Sequence, residues 1–390
     1  MQYADILGIE PTAVVQPVTQ DEIAAVIRDA DASGKSVIPW GGGTAQDYGY
    51  PPRRADILLD LSQFRRVLAH EPGDLTVTVE AGATLADVQA VLARENQFLP
   101  LDPPHADRAT MGGIIAMDAC GPSRVGYGRV RDWLIGLTVV DPQGRVVKGG
   151  GKVVKNVTGY DLPKLHVGAL GTLGVLVEAT FKVAPRPETT CALLFRLTRA
   201  NSDTIAPLLT ALLTRRVSPS LSLFHEADRQ RHLFVTWSGP REVVDGECNA
   251  ADVLCQELGI SAPLLLDSAF TVAEPLPTDA HIRLRVSPSD AWRTHCAVAA
   301  LGISETVQTL VPLGIIEVSC TGVGAARTLL NWASETTASI SEVHAPLALR
   351  SEENIALWHP LPPAFPLMQR LKETLDPNGT LNPGRFVGGL

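Results

Sequence analysis

Residues 39–49, PWGGGTAQDYG, set three consecutive glycines directly after the apolar run SVIP. Glycine beside a strand loses more backbone entropy than any other residue on folding, so it persists where a Cβ would not fit. Consecutive glycine amides can form a concave nest for an anion such as a diphosphate. Each charge-assisted hydrogen bond of that sort contributes roughly 1.5–3 kcal/mol. The plainer alternative is a flexible turn, and the triplet alone leaves both readings open.

Upstream of the loop, PVTQDEIAAVIRDADASGK opens with a capping box from Thr19 to Glu22 and repeats apolar side chains at Ile23, Val26, Ile27 and Ala30. That spacing predicts an amphipathic helix, stopped at Gly34. KSVIPW, DILLDL and the alternating LTVTVEAG predict strands, and Thr84 caps a helix through LADVQAVLARENQ. ATMGGIIAMDACGPSRVGYGRVRDW is a second glycine-punctuated stretch that lets backbone approach closely. LIGLTVVDPQGRVVKGGG predicts two strands joined by the turn Asp141-Pro142-Gln143-Gly144. GVLVEATFKVAP places Val175, Val177, Ala179, Phe181 and Val183 on one strand face, and Pro185 and Pro187 mark a boundary. Beyond it, helical TIAPLLTALLTRR and the strands HLFVTWSG and HIRLRVS indicate a second α+β unit. LMQRLKETLDPNGTLNPGRF closes the chain as a helix ended at Asp376-Pro377 and a turn-rich tail. The expected organisation is α+β, with domains over 1–187 and 188–360 and a helix and tail over 361–390.

Composition narrows the function. With 390 residues, 45% hydrophobic and 19% charged, the chain can bury full-sized cores. A formal charge of −9 without a basic run argues against nucleic acid, whose binding requires phosphate neutralisation. Six scattered cysteines (Cys120, Cys191, Cys248, Cys255, Cys296 and Cys320) form no Cys-x-x-Cys pair. Reduced thiols and no self-contained iron–sulfur site are expected. MQYADILGIE lacks the basic and apolar regions of a leader, and no stretch approaches the roughly 18 apolar residues of a spanning helix. A cytoplasmic location is expected, or one peripheral to the inner membrane through partners. GGGKVVKN lacks P-loop spacing, and no G-x-G-x-x-G follows the first strand.

The ordered set GGGTA, LDPPHADRATMGG, GYGRVRDWLIG, VKNVTGYDLPKL, GALGTLGVLVE and LDPNGTLNPGRF resembles the FAD-binding family of vanillyl-alcohol oxidase and p-cresol methylhydroxylase type. Within that family it is most similar to the 2-hydroxy-acid branch and the E-subunit type of glycolate oxidase. The likeness is dense over residues 11–186 and 370–386. It implies a two-part FAD domain, a smaller α+β cap and a tail returning to the flavin. Carried over by position, it implies that Trp40, Gly41, Gly42, Gly43, Thr44 and Ala45 surround the FAD diphosphate, with the glycines bare because phosphate oxygens lie on their backbone. Pro103, Thr110, Met111, Gly112, Gly113 and Ala116 would run along diphosphate and flavin, and Gly121, Gly126 and Gly128 would extend that wall. Gly171, Gly174 and Val175 would meet the adenine side, Asn382 the flavin ring, and Lys155, Asn156 and Asp161 would add polar groups. No metal is implied.

Departures from the pattern carry expectations too. Gly168-Ala169-Leu170 stands where relatives carry Gly-Ser-Glu or Gly-Ser-Gln, which removes a polar contact. Ala45-Gln46 stands where covalently flavinylated relatives carry histidine, so FAD is expected to be dissociable. Cys120 reads as an inert buried thiol rather than a tether. Oxidising a 2-hydroxy acid needs a cation for the carboxylate and a base for the hydroxyl proton. The branch's metal-binding histidine run has no counterpart here. His344 with Arg350 is the nearest constellation, and Arg283 with Arg285 on one strand is another, although lone histidines and arginines are more often structural. Two active roles follow: an FAD-carrying subunit of a glycolate oxidase, with its own substrate site reduced or lost, working beside a catalytic flavin subunit and an iron–sulfur subunit, or a self-sufficient 2-hydroxy-acid dehydrogenase. A fold that binds no FAD is the third, and the intact glycine loop counts against it.

Overall fold

The computed structural model describes residues 3–151, 161–197, 202–213, 221–227, 230–259, 263–266 and 279–390. Lys155 and Asn156 lie outside them. The helix predicted upstream of the glycines runs Gln20–Ala32. Thr19 Oγ1 accepts from the Glu22 N–H at 3.2 Å, and the Glu22 carboxylate accepts from Val18 N–H at 2.7 Å. Its apolar side, Ile23, Ala24, Ile27 and Ala30, is shared between two sheets. One is three-stranded and parallel, in the order Ala13–Val15, Ile57–Asp60, Val37–Trp40. The other is five-stranded and antiparallel, in the order Val67–Glu71, Thr76–Glu80, Val175–Lys182, Leu134–Val140, Val146–Gly150. The expected turn at Asp141–Gly144 joins the last two strands, with Gly144 N–H donating to Asp141 O at 2.9 Å. Thr84 caps the helix Leu85–Leu92 as predicted, and Thr110 caps a further helix, Met111–Met117.

After Ala184–Pro185 the chain enters an eight-stranded antiparallel sheet. Its order is Leu264–Leu266, Thr189–Leu197, Gln230–Gly239, Leu221–Ala227, Ser304–Leu310, Ile315–Cys320, Ala280–Arg285, Ser339–His344. Side chains alternate between faces. One face (Ile282, Leu284, Ile316, Val318) is apolar and packs under the helix Val323–Ser334. The other (Arg283, Arg285, Glu317) is polar and turns toward the glycine loop, because Asp47 and Tyr48 reach the strand Ser339–His344 through an isolated bridge from Tyr48 to His344.

One expectation is corrected here. Cys191 and Cys248 are joined as a disulfide, so the reading of six reduced thiols does not hold; Cys120, Cys255, Cys296 and Cys320 are free. Cys191 lies on the strand Thr189–Leu197 and Cys248 on the helix Arg241–Glu257 that packs across it, a pairing no local spacing announces. Among the described residues no helix is long and apolar enough to cross a membrane.

The C-terminal helix Phe365–Leu375 returns the tail to the first sheet. Val37 N–H donates to Thr380 O at 2.7 Å, and Asn382 N–H donates to Val37 O at 3.1 Å. Lys372 Nζ locks this connection from beneath, donating to Thr172 O, Leu381 O and the Asp376 carboxylate at 2.8, 2.9 and 2.5 Å. Asp376 is buried, so Lys372→Met would strand its charge. The expected loss is about 3 kcal/mol of unfolding free energy, read from urea denaturation. Adding Asp376→Asn should recover part of it.

Candidate functional site

The strand Val37–Trp40 delivers the glycine loop to one wall of a cleft enclosing about 740 Å³ of space open to solvent. Of the residues expected at a cofactor, Trp40, Gly41, Gly42, Gly43, Thr44, Ala45, Thr110, Gly112, Gly113, Ala116, Gly171, Gly174 and Asn382 line it. Four chain segments distant in sequence thus meet at one place.

Gly42 has a different reason for being bare from the one expected. A Cβ there would lie 1.8 Å from Arg108 O, so the neighbouring peptide already forbids a side chain before any ligand is considered. Gly41 faces Thr110 Oγ1 in the same manner, at 2.4 Å, and Gly43 takes the left-handed φ of +70°. The loop is therefore pressed onto the segment that precedes Thr110. The amides of Gly41, Gly42, Gly43 and Thr44 donate to no described atom of the chain.

The start of the helix Met111–Met117 behaves differently. Met111 N–H bonds Ala83 O at 2.8 Å, Gly112 N–H bonds Ala81 O at 2.7 Å, and Gly113 N–H bonds Thr110 Oγ1 at 3.3 Å. These amides are committed within the protein, so this helix supplies a close surface and the loop supplies the available donors. Asn382 is buried at φ +45°, donates Nδ2 to Leu170 O at 2.7 Å, and leaves Oδ1 without a partner in the cleft wall. Unspent loop donors, an orphaned amide oxygen and glycines seated on peptide all fit a dinucleotide cofactor.

The other expected residues fall elsewhere. Met111 and Val175 are core side chains, and Pro103 is buried away from the cleft lining. Gly121 packs on Asp102 O and Gly128 on the Asp132 carboxylate, so both serve the turn rather than a ligand. Gly126 is exposed on the short helix Arg124–Tyr127, and Asp161 is exposed and ion-paired with Lys164. Cys120 is buried, donates to Gly128 O, and has its thiol pushed up to about 12 by burial, which keeps it inert. Arg385 is a lining residue that reasoning from sequence missed, although it stands in the same NPGR run as Asn382. It donates to Gln46 Oε1 at 2.6 Å and to the carbonyls of Gln46 and Tyr48 at 3.1 and 2.9 Å, bracing the end of the glycine loop.

His344 and Arg350 do not form a joint site. Arg350 is buried and donates to the carbonyls of Ala345, Gly49 and Ile6, a structural role. His344 lies between Asp47 Oδ1 at 3.1 Å and Glu342 Oε1 at 3.5 Å. Burial opposes its protonation, but hydrogen bonds to these two carboxylates and their charges outweigh burial and push its pKa up to about 9. At neutral pH it is an imidazolium and cannot accept a proton as a base. Beyond it, Arg283 donates Nε and Nη2 to Glu317 Oε1 at 2.9 and 2.6 Å and Nη1 to Glu342. Asp47, His344, Glu342, Arg283 and Glu317 make a continuous charge ladder from the glycine loop into the sheet.

Two outcomes follow from this geometry. Gly42→Ala must displace the loop or the Arg108 carbonyl, and FAD affinity is expected to fall about a hundredfold through the loss of roughly 3 kcal/mol of charge-assisted bonding. Quenching of flavin fluorescence on binding measures it, and an unchanged affinity removes the loop from the cofactor site. For His344, a folded pKa of about 9 against an ordinary 6.5 means its stabilising contribution is complete below pH 6.5 and is lost as pH rises through 9. Unfolding free energy should drop by on the order of 2 kcal/mol across that window, and His344→Gln should flatten the drop.

Residues 11–150 match the family described as FAD binding domain. A Bacillus subtilis protein named glycolate oxidase subunit GlcD is 27% identical over 72% of this chain and 63% of its own length. An Escherichia coli protein named glycolate oxidase subunit GlcE is 40% identical over 35% of this chain and 39% of its own. A Xanthomonas citri protein named D-2-hydroxyglutarate dehydrogenase is 33% identical over 48% and 40%. The chain thus spans less than two thirds of these relatives. A solved structure of alkyldihydroxyacetonephosphate synthase superposes on 96% of this chain and 77% of its own with a TM-score of 0.68 at 18% identity, which establishes the shared fold. Residues 11–150, which include the glycine loop, thus carry an FAD binding domain, and the residues that line the cleft fit that cofactor.

Proposed function

We propose that the protein carries dissociable FAD in this cleft and takes part in the oxidation of a small 2-hydroxy acid, as the flavin subunit of a glycolate-oxidase-type assembly. In that assembly a second, catalytic flavin subunit and an iron–sulfur subunit are its partners. The observation that carries the reading is the set of free amides on Gly41–Thr44 facing a cleft closed by Asn382. Its donors suit a diphosphate without any lysine. FAD, when bound, accepts the electron pair of the substrate C–H bond; the chain's residues hold the cofactor and exclude water along Leu61, Ala81, Met117 and Leu176. Among the described residues that line the cleft there is no histidine, cysteine or tyrosine, in keeping with non-covalent attachment.

The subunit role is supported by likeness to proteins named as two different glycolate oxidase subunits. A second reading, self-sufficient oxidation, is favoured by the buried arginines between the sheet and the helix Arg124–Tyr127. The division into an FAD domain over 1–187, a cap over 188–360 and a returning tail belongs to the same proposal, as does a cytoplasmic location with any membrane contact made through partners. The chain expressed alone is expected to be yellow and to release its FAD on denaturation. Under anaerobic conditions, glycolate that leaves the colour unchanged until the partner subunits are added supports the assembly role. Bleaching by glycolate or D-lactate alone supports self-sufficiency. A colourless protein that takes up no FAD sinks both.

A further inference from the structure

The polar face of the eight-stranded sheet carries arginines that the cofactor site does not use. His281, Arg283 and Arg285 share that face of the strand Ala280–Arg285, with Ser319, Glu317 and Ile315 as their respective register partners on the adjacent strand. The helix Arg124–Tyr127 lies against the same face, where Val125 packs on Ile315, Leu310 and Phe234. This brings Arg124, the neighbour of Val125, toward Arg285, the register partner of Ile315.

The four arginines of this region differ in what they hold. Arg283 is saturated by Glu317 and Glu342, and Arg129 is ion-paired with Asp118. Arg124 is 4% exposed, yet no described residue accepts a hydrogen bond from it, and its Nη1 is buried without a partner. Arg285 is half-buried and also makes no bond to a described residue, with its Nε buried and unpaired. Burial and then the charges of Arg283, Arg124 and Arg129 pull its pKa down to about 10, which places the guanidiniums within electrostatic range of one another. An unpaired buried cation is costly, and two beside each other more so, unless an anion completes them. The group adjoins the cofactor cleft at two points: Met117, which lines the cleft, precedes Asp118, and Gln46, another lining residue, precedes Asp47 of the charge ladder.

We propose that Arg124 and Arg285 together hold the carboxylate of a 2-hydroxy monocarboxylic acid at the junction of the cofactor cleft and the eight-stranded sheet. A carboxylate offers two oxygens to two guanidiniums. A second carboxylate on the same molecule would meet Glu317, Glu342 and Asp118, which already occupy the remaining cations. The site therefore selects glycolate or lactate over a 2-hydroxy diacid. The inference rests on the reading above that the substrate is a 2-hydroxy acid.

Isothermal titration calorimetry of the FAD-loaded full chain under anaerobic conditions tests it, with glycolate and D-2-hydroxyglutarate as separate titrants. Glycolate is expected to bind at least about tenfold more tightly than the diacid. Arg285→Met and Arg124→Met should each weaken glycolate by about tenfold to a hundredfold with FAD content unchanged, and Arg285→Lys should restore part of the loss. Arg285 is the safer probe of the two, since it is half-buried and its replacement leaves no acceptor stranded. Unchanged glycolate affinity in Arg285→Met overturns the assignment while leaving the functional reading in place, and diacid binding as tight as glycolate overturns the selectivity. An FAD-loaded wild type that binds neither acid overturns the inference alone, since the assembly role stands without a substrate site on this chain.

Discussion

The seating of Gly42 on the Arg108 carbonyl constrains everything around the cofactor. At 1.8 Å from a would-be Cβ, the peptide admits glycine alone, so the loop's path is set by protein packing and not by the ligand. The strand that feeds the loop is held from the far end of the chain, through the bonds of Val37 to Thr380 and Asn382, and Lys372 anchors the tail that makes them. A donor set that is rigid before binding gives up little entropy when a diphosphate arrives. Preorganisation of this kind explains how a cleft whose one lining cation among the described residues, Arg385, is taken up by Gln46 and Tyr48 can still suit a doubly charged group.

The charge ladder has another physical purpose. Replacing a buried ion pair by well-packed apolar groups often leaves stability unchanged or improves it, whereas breaking one partner is severe. The ladder from Asp47 through His344 and Glu342 to Arg283 and Glu317 is therefore better understood as a positioning device than as a source of stability. It sets the orientation of the sheet face relative to the glycine loop, since each inner member, His344, Glu342 and Arg283, is held between two partners of opposite charge. Arg285, one step along the same strand, is left out of the ladder: its register partners are Ile315 and Ser339, neither of which is a carboxylate.

Where the determinant is local, the residues announce it. Thr19 and Thr84 cap because their side chains reach an amide three residues on, and Asp141–Gly144 turns because its bonds close within four residues. The glycine loop and the NPGR run were readable for the same reason. What escaped is what depends on distant partners. Arg350 and His344 stand six residues apart, yet one binds carbonyls of the N-terminal segments and the other the carboxylate of Asp47, 297 positions away. Cys191 and Cys248 meet only because a helix crosses a strand. Gly121 and Gly128 look like the cleft glycines in sequence, but their would-be Cβ atoms face Asp102 and Asp132.

Leu170 shows how such a fold absorbs a departure. Where relatives carry a polar side chain, this leucine takes a left-handed φ of +52° and buries its apolar side chain in the core cluster that includes Tyr48. Its backbone carries the polar work, the N–H donating to Ala116 O at 2.9 Å and the carbonyl accepting from Asn382 at 2.7 Å. These two bonds tie the segment around Leu170 to the helix Met111–Met117 and to the tail, the two elements that flank the loop. A left-handed non-glycine residue costs of order 1 kcal/mol or more, so it persists where the surroundings over-determine it. The departure from the pattern thus leaves in place the wall that shapes the cleft.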